Sequence, residues 1–187
     1  LDEHDFEGKR VVVIGGGASG VEAAETALER GAKKATILAR KDHWIIPRQL
    51  LVDCFITLFP YGSRFLAWLV PEQLIRRLHY RELDEKMSPT TPLYSGTPVV
   101  NNDFLRLVRQ GAADYQRGET TLLHHDGLEY NFRTRHQSKD ERGETRFMSA
   151  DMIVLATGFE RPTIDFLPKD LFPPGYARPN MYLQCFP

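Results

Sequence analysis

Three glycines at fixed spacing constrain this chain more than any other feature of its sequence. Gly15, Gly17 and Gly20 follow the apolar run of residues 11–14 and precede a segment of helical composition, residues 21–30. A strand, a glycine-rich turn and a helix in this order are typical of dinucleotide binding. The alternative is a tight turn that only joins a strand to a helix.

Each glycine has its own physical reason in such a turn. Gly15 permits the sharp change of direction, Gly17 lets a diphosphate approach the backbone, and Gly20 lets the helix pack close to the strand. The N–H groups and the positive dipole end of the new helix then face the phosphates. The sequence therefore predicts a Rossmann-like α/β domain with a parallel sheet.

The next strand indicates which dinucleotide is bound. Residues 35–39 are predicted as a second parallel strand, and Arg40 and Lys41 lie at its tip. A carboxylate there would bind the ribose 2′-hydroxyl of NAD or FAD, whereas a guanidinium can bind a 2′-phosphate through two parallel hydrogen bonds. We therefore predict NADP(H). Two alternatives stay open: solvated surface cations, or a salt bridge from Asp42 to either of them.

Composition excludes several classes of protein. The 187 residues suit one domain with an inserted subdomain, and 42% hydrophobic residues can form a core. A net charge of −1 gives no basic field for nucleic acid.

Cysteine usage and the start of the chain predict the compartment. Cys54 and Cys185 lie far apart, which favours reduced thiols. The start is polar and has no secretory signal, so we expect a cytoplasmic protein. The start at Leu1 and the stop at Pro187 suggest a piece of a longer polypeptide.

Residues 42–98 interrupt the strand–helix alternation and are predicted to be a helical insertion ending in a proline-rich loop, residues 84–98. Two apolar sets have helical spacing: Phe65, Trp68 and Leu69, then Leu74, Ile75 and Leu78. Three roles stay open for these short amphipathic helices: packing within the same polypeptide, docking on another domain, and contact with a membrane surface.

The second half of the chain is predicted to complete the sheet. A helix over residues 104–109 is capped by residues 101–103, and a three-stranded β-meander follows over residues 120–123, 128–135 and 145–148. Asp126-Gly127 predicts the hairpin turn. His124 and His125 lack a third ligand at suitable spacing, so we expect strand or turn residues and no metal site.

A last apolar strand is predicted after residue 151, buried and parallel. It ends in Ala156, Thr157 and Gly158. Small residues at the carboxyl end of such a strand allow close approach of a ligand. The alternative is a routine turn.

The sequence resembles the NADPH-binding half of the flavin-containing monooxygenases and of the related Baeyer–Villiger and N-hydroxylating enzymes. Three features carry the resemblance: the glycine motif, the segment from Arg40 to Arg48 with its Trp44 and Pro47, and the ending Ala-Thr-Gly-Phe159. The resemblance covers roughly residues 5–160. It implies NADP(H)-binding segments 5–41 and 99–160, the insertion 42–98, and a return over 161–187 into a FAD-binding domain that is absent here.

The resemblance also implies roles for single residues. The cofactor-binding residues would be Gly15, Gly16, Gly17, Ala18, Ser19, Gly20, Arg40, Lys41, Ala156, Thr157 and Gly158. The activity implied is reduction of FAD by NADPH and transfer of one oxygen atom from O₂ to an organic substrate, with flavin carrying the chemistry. FAD would be bound mainly by absent segments, and no residue of this chain is a candidate acid, base or nucleophile.

Three other classes of protein have features in common with this sequence. A short-chain dehydrogenase needs a Tyr-x-x-x-Lys pair, and none of the seven tyrosines has a lysine four positions on. A disulfide reductase with two dinucleotide domains needs a close cysteine pair, which an absent segment would have to supply. A non-catalytic NADP-binding module is the third alternative.

Overall fold

The computed structural model describes residues 5–48, 72–83, 87–93, 96–137, 141 and 143–159. The described elements, in chain order, are β1 (Arg10–Ile14), α1 (Ala18–Glu29), β2 (Lys34–Ala39), β3 (Ile45–Ile46), α2 (Gln73–His79), β4 (Val99–Val100), α3 (Phe104–Arg109), β5 (Ala113–His124), β6 (Gly127–Phe132), β7 (Glu144–Ser149) and β8 (Met152–Leu155).

A six-stranded sheet organises these elements in the order β7-β6-β5-β2-β1-β8. The strands β5, β2, β1 and β8 are parallel, and β6 and β7 extend the sheet in antiparallel fashion from β5. A separate parallel pair joins β3 to β4. The protein therefore has the predicted α/β, Rossmann-like fold with a β-meander, and this prediction is confirmed.

Alternate residues of β1 pack against opposite faces of the sheet. Val11 and Val13 belong to the larger core cluster, which includes the inner face of α1. Val12 packs on the other face in a smaller cluster with Leu128 and Tyr130 of β6. Since both faces are covered, a central parallel strand is apolar throughout, which explains the unbroken run of residues 11–14.

The strand β5 is longer than the sequence predicts. Its first half pairs with β2 and its second half with β6, with a change of register between Thr120 and Leu122. The turn that follows is displaced by one residue from Asp126-Gly127, because Gly127 pairs with His124 inside the ladder. A Cβ on Gly127 would lie 2.2 Å from the Met148 carbonyl oxygen, so the close approach of β7 accounts for this glycine.

The last strand differs from its prediction in burial. β8 pairs in parallel with β1, as expected, but it lies at the edge of the described sheet. Met152, Ile153 and Val154 are half-buried, and Leu155 is 67% exposed. The prediction of a buried strand was wrong because an apolar run alone does not tell a central parallel strand from an edge strand.

The helix α3 has the predicted bounds, and its N-cap residue, Asp103, makes no capping hydrogen bond through its side chain. The Asn101 side-chain oxygen accepts hydrogen bonds from the backbone N–H groups of Asp103 and Phe104. The Asn101 amide nitrogen donates to Glu25 of α1 at 2.7 Å. Burial raises the pKa of the Glu25 carboxyl, and the hydrogen bond from Asn101 opposes that shift. Asn101 thus joins the two helices that cover one face of the sheet.

The described part of the insertion is fixed by a buried tyrosine. The Tyr80 hydroxyl accepts from the Ile45 N–H at 2.7 Å and donates to the Ile45 carbonyl oxygen at 2.9 Å. Of the three apolar residues predicted on one face of α2, only Ile75 is buried, while Leu74 and Leu78 are exposed. The predicted apolar face is therefore wrong in part.

Several predictions concern residues outside the described ranges. These include the helical set Phe65, Trp68 and Leu69, the two cysteines, and the segment 161–187. Within the described ranges, no helix combines the length and the hydrophobicity needed to cross a bilayer.

Candidate functional site

A cleft of about 600 Å³ opens where the parallel strands end. The carboxyl ends of four parallel segments lie at this edge: β1, β2, β8 and the parallel half of β5. Open α/β sheets bind ligands at this edge. The cleft brings together all but one of the predicted site residues: Gly15, Gly16, Gly17, Ala18, Ser19, Arg40, Lys41, Ala156, Thr157 and Gly158. The exception, Gly20, lies inside the first turn of α1.

Gly15 and Gly20 allow the turn to pack tightly against its neighbours. Gly15 has φ +124°, and a Cβ there would lie 2.1 Å from the Ala156 carbonyl oxygen. A Cβ on Gly20 would lie 1.9 Å from the Gly15 carbonyl oxygen. Both glycines are therefore required by the protein's own backbone, as the spacing predicts.

Gly17 differs from these two because nothing in the protein crowds it. A Cβ on Gly17 would meet no atom within 4 Å. Gly17 is also the N-cap of α1, and no side chain caps this helix. The N–H groups of Ala18 and Ser19 therefore lack intrahelical acceptors at the wall of the cleft. This open, uncapped helix start presents N–H donors of the kind that bind phosphate groups.

Gly16 is packed from below by side chains. A Cβ there would lie 2.7 Å from the Ala39 Cβ and 3.1 Å from the Tyr115 hydroxyl oxygen. Tyr115 is buried and donates a long hydrogen bond, 3.4 Å, to the Lys41 carbonyl oxygen. Burial raises the pKa of Tyr115, so its hydroxyl stays neutral and supports both the glycine turn and the tip of β2.

The cations at the tip of β2 are both exposed, and Asp42 pairs with neither. The Asp42 carboxylate instead accepts a hydrogen bond from the Arg117 Nε at 2.8 Å, and both side chains are largely buried. Within the described residues, the Lys41 ammonium makes no ion pair. The alternative in which Asp42 neutralises the β2 tip is therefore wrong.

Sequence reasoning missed a carboxylate in the same cleft. Glu119 lies on β5, and its Oε1 is 3.5 Å from the Arg40 Nη1, with both side chains more than half exposed. Thr120 also lines the cleft, and its buried hydroxyl has no hydrogen-bond partner among the described residues. Only the pairing of β5 with β2 brings these residues here, and no local pattern signals that pairing.

The third wall of the cleft is the segment that follows β8. The Ala156 N–H donates to the Ile14 carbonyl oxygen at 2.9 Å, which continues the parallel ladder to the glycine turn. Gly158 has φ +90°, a conformation that favours glycine. The adjacent Phe159 side chain is 98% exposed. Residues 156–158 therefore border the cleft as the sequence predicts.

Comparison with known proteins finds a family match over the first βαβ unit, which carries the glycine turn. The family model described as pyridine nucleotide-disulphide oxidoreductase matches residues 10–50, which include β1, α1 and β2. This is the βαβ unit that carries the glycine turn and the β2 tip. Among curated proteins, none matches the chain significantly.

Solved structures match over most of the chain. OTEMO in complex with FAD and NADP has a TM-score of 0.57 at 17% sequence identity, and the match covers 83% of this chain. An oxidised steroid monooxygenase bound to NADP has a TM-score of 0.57 at 16% identity, and the match covers 86% of this chain. A bacillithiol disulfide reductase, YpdA from Staphylococcus aureus, has a TM-score of only 0.47 at 16% sequence identity, and the match covers 84% of this chain. The chain spans 39%, 40% and 31% of these three structures. At such identities the two monooxygenases share the fold.

Proposed function

We propose that this chain is the NADP(H)-binding part of a flavin-dependent oxidoreductase, and more narrowly of a monooxygenase that uses NADPH and O₂. The observation that carries the proposal is the single cleft that joins an uncapped helix start, two exposed cations and the segment after β8. These are the three contacts that a dinucleotide with an added phosphate requires.

The glycine turn would hold the diphosphate. Its charge would be balanced by the N–H groups of Ala18 and Ser19 and by the positive end of α1, which has no acidic residue in its first turn. The Ser19 hydroxyl would add a donor. Gly17 leaves the space into which a phosphate oxygen would fit.

The tip of β2 would hold the 2′-phosphate. The Lys41 ammonium is unpaired among the described residues, and the Arg40 guanidinium faces only the exposed Glu119 carboxylate. A phosphate dianion would compete with that single carboxylate for Arg40, since charge-assisted hydrogen bonds to phosphate are among the strongest available. This arrangement favours NADP(H) over NAD(H).

Residues 156–158 would border the nicotinamide end. When bound, NADPH supplies a hydride for flavin reduction, and the reduced flavin supplies the oxygen chemistry. We propose that FAD is bound mainly by another domain of the same polypeptide. The residues of this chain would then orient the dinucleotide and would not supply an acid, base or nucleophile.

The family match favours a second candidate. The family model of the pyridine nucleotide-disulphide oxidoreductases matches the βαβ unit at residues 10–50. That function requires a close cysteine pair, and Cys54 and Cys185 are widely separated in sequence. A non-catalytic NADP-binding module, the third candidate, would use the same cleft without a flavin partner.

Calorimetric titration of the 187-residue chain with NADPH and NADH tests the binding proposal. We expect one NADPH site in the micromolar range, weaker NADH binding, a colourless protein and no NADPH consumption. Tightly bound flavin would contradict the proposed division of labour. For the product of the complete reading frame, NADPH oxidation with O₂ uptake would support the monooxygenase, and disulfide reduction without O₂ uptake would support the second candidate.

A further inference from the structure

A second space of about 510 Å³ adjoins the cleft on the far side of the β2 tip. Arg40, Lys41 and His43 line both spaces, so the two share a wall. We call this second space the basic pocket, because its lining carries five cations: Arg40, Lys41, Arg117, Arg133 and Arg135. The residues of the glycine turn do not line it.

Two of the cations around the basic pocket already face carboxylates. Asp42 is the one carboxylate among its described lining residues. The Arg117 guanidinium binds that carboxylate through Nε at 2.8 Å and donates to the Ser88 carbonyl oxygen at 3.1 Å. Asp42 is therefore committed to Arg117, and Arg40 faces Glu119 of the adjoining cleft, so the anion site depends on Lys41 and Arg133.

Arg133 is the most informative of these cations because it is buried. The residue is 6% exposed, and its Nη2 donates to the Arg40 carbonyl oxygen at 2.6 Å. Within the described part of the chain it makes no ion pair. A buried guanidinium without a counter-charge is unfavourable, and an anion entering the pocket would supply that counter-charge.

The position of Arg133 is fixed before any ligand binds. Its backbone N–H donates to the Arg117 carbonyl oxygen at 2.9 Å, at the end of the β5–β6 ladder. Hydroxyl and amide groups complete the lining, from Thr91, Thr97 and Gln137 among others. A preorganised guanidinium with neighbouring neutral donors suits a ligand that has several acceptor oxygens and two negative charges.

We propose that the basic pocket is a phosphomonoester site in which Arg133 is the principal anion-binding residue. Two sources of the phosphomonoester share this chemistry. One is the 2′-phosphate of a dinucleotide lying in the cleft, which rests on the function proposed above. The other is a separate phosphorylated metabolite, for which the volume of the pocket leaves room beyond the phosphate itself.

Two variants of the full chain test the proposal. Arg133→Met removes the buried charge and keeps an unbranched side chain. Thr97→Glu adds a negative charge at an exposed position of the lining, where folding is not at stake. Gln110→Glu is the matched control, since it adds the same charge at an exposed position that lines neither space. Thermal unfolding checks that each variant is folded.

Calorimetry with inorganic phosphate, NADPH and NADH then separates the outcomes. We expect Arg133→Met and Thr97→Glu, but not Gln110→Glu, to weaken phosphate binding about tenfold or more. If both also weaken NADPH and leave NADH unchanged, the source is the 2′-phosphate. If they leave the NADPH-to-NADH ratio unchanged, the source is a separate phosphomonoester. If the wild-type chain binds phosphate but neither NADPH nor NADH, the proposed function is refuted and the phosphomonoester site is not. If both variants bind phosphate as tightly as wild type and keep the wild-type ratio of NADPH to NADH affinity, the proposed phosphomonoester site is refuted.

Discussion

Arg40, directly after β2, and Glu119, on the neighbouring strand β5, face each other at the wall of the cleft with 3.5 Å between Nη1 and Oε1. Both side chains are more than half exposed, so this ion pair contributes little to stability. Under the proposed function, a phosphate that binds Arg40 would have to displace or repel Glu119. The pair would then set how strongly the cleft discriminates between NADP(H) and NAD(H).

Replacing Arg40 with alanine should weaken NADPH binding about ten- to a hundredfold and leave NADH binding nearly unchanged, because in the proposed complex the guanidinium would contact only the 2′-phosphate. Calorimetric titration measures both constants. Arg106→Ala is a suitable control, since Arg106 is an exposed arginine on α3 that pairs with Asp103 away from the cleft. An equal loss for both dinucleotides would refute the role of Arg40.

The variant Glu119→Gln should bind NADPH several-fold more tightly, because it removes a negative charge beside the phosphate site. NADH affinity should change little, and the gain should shrink as salt is raised. Glu144→Gln serves as the control, because Glu144 pairs with Arg146 on β7 and lines neither space. Weaker NADPH binding in Glu119→Gln would mean that this carboxylate accepts a hydrogen bond from the ligand.

Two glycine substitutions should separate folding from binding. Gly20→Ala should lower the free energy of unfolding by about 1–3 kcal/mol, because its Cβ would overlap the Gly15 carbonyl oxygen. Gly17→Ala should leave stability nearly unchanged, since its Cβ meets no protein atom within 4 Å. The same variant should nevertheless weaken both dinucleotides, because the methyl group occupies the space of the diphosphate. Normal binding by Gly17→Ala would place the ligand elsewhere.

Stability should depend on pH through Asp151. Hydrogen bonds from the Arg10 side chain and backbone lower the pKa of the Asp151 carboxyl. Because the folded-state pKa lies below the unfolded value of about 4, the contribution is present above pH 4 and is lost as the pH falls below it. Urea midpoints of wild type and Asp151→Asn should therefore converge on acidification. Parallel curves down to pH 3 would contradict this.

Local sequence signals were sufficient for the glycine turn and its helix. Gly20 is required by a contact within the turn itself, with the Gly15 carbonyl oxygen, and the Gly31 φ of +90° fits the predicted end of α1. The hydrogen bond from the Phe104 N–H to the Asn101 side chain at the start of α3 is also local, spanning three residues. Such features follow from short-range geometry, which explains why a single sequence predicts them.

Features that depend on strand order could not be predicted. Glu119 meets Arg40 only because β5 pairs with β2, and Arg133 lines the basic pocket only because the β6 end returns to the β2 tip. The pairing of Asp42 with Arg117 has the same origin. Hydrophobic periodicity defines a strand and its faces but carries no information about its neighbour.

The most direct test is a crystal structure of this chain with NADPH bound. The account predicts the diphosphate over residues 15–19, hydrogen-bonded to the N–H groups at the start of α1, with the 2′-phosphate beside Arg40 and Lys41. NADPH bound at another surface, with the cleft at the ends of β1 and β2 free of ligand, would contradict it.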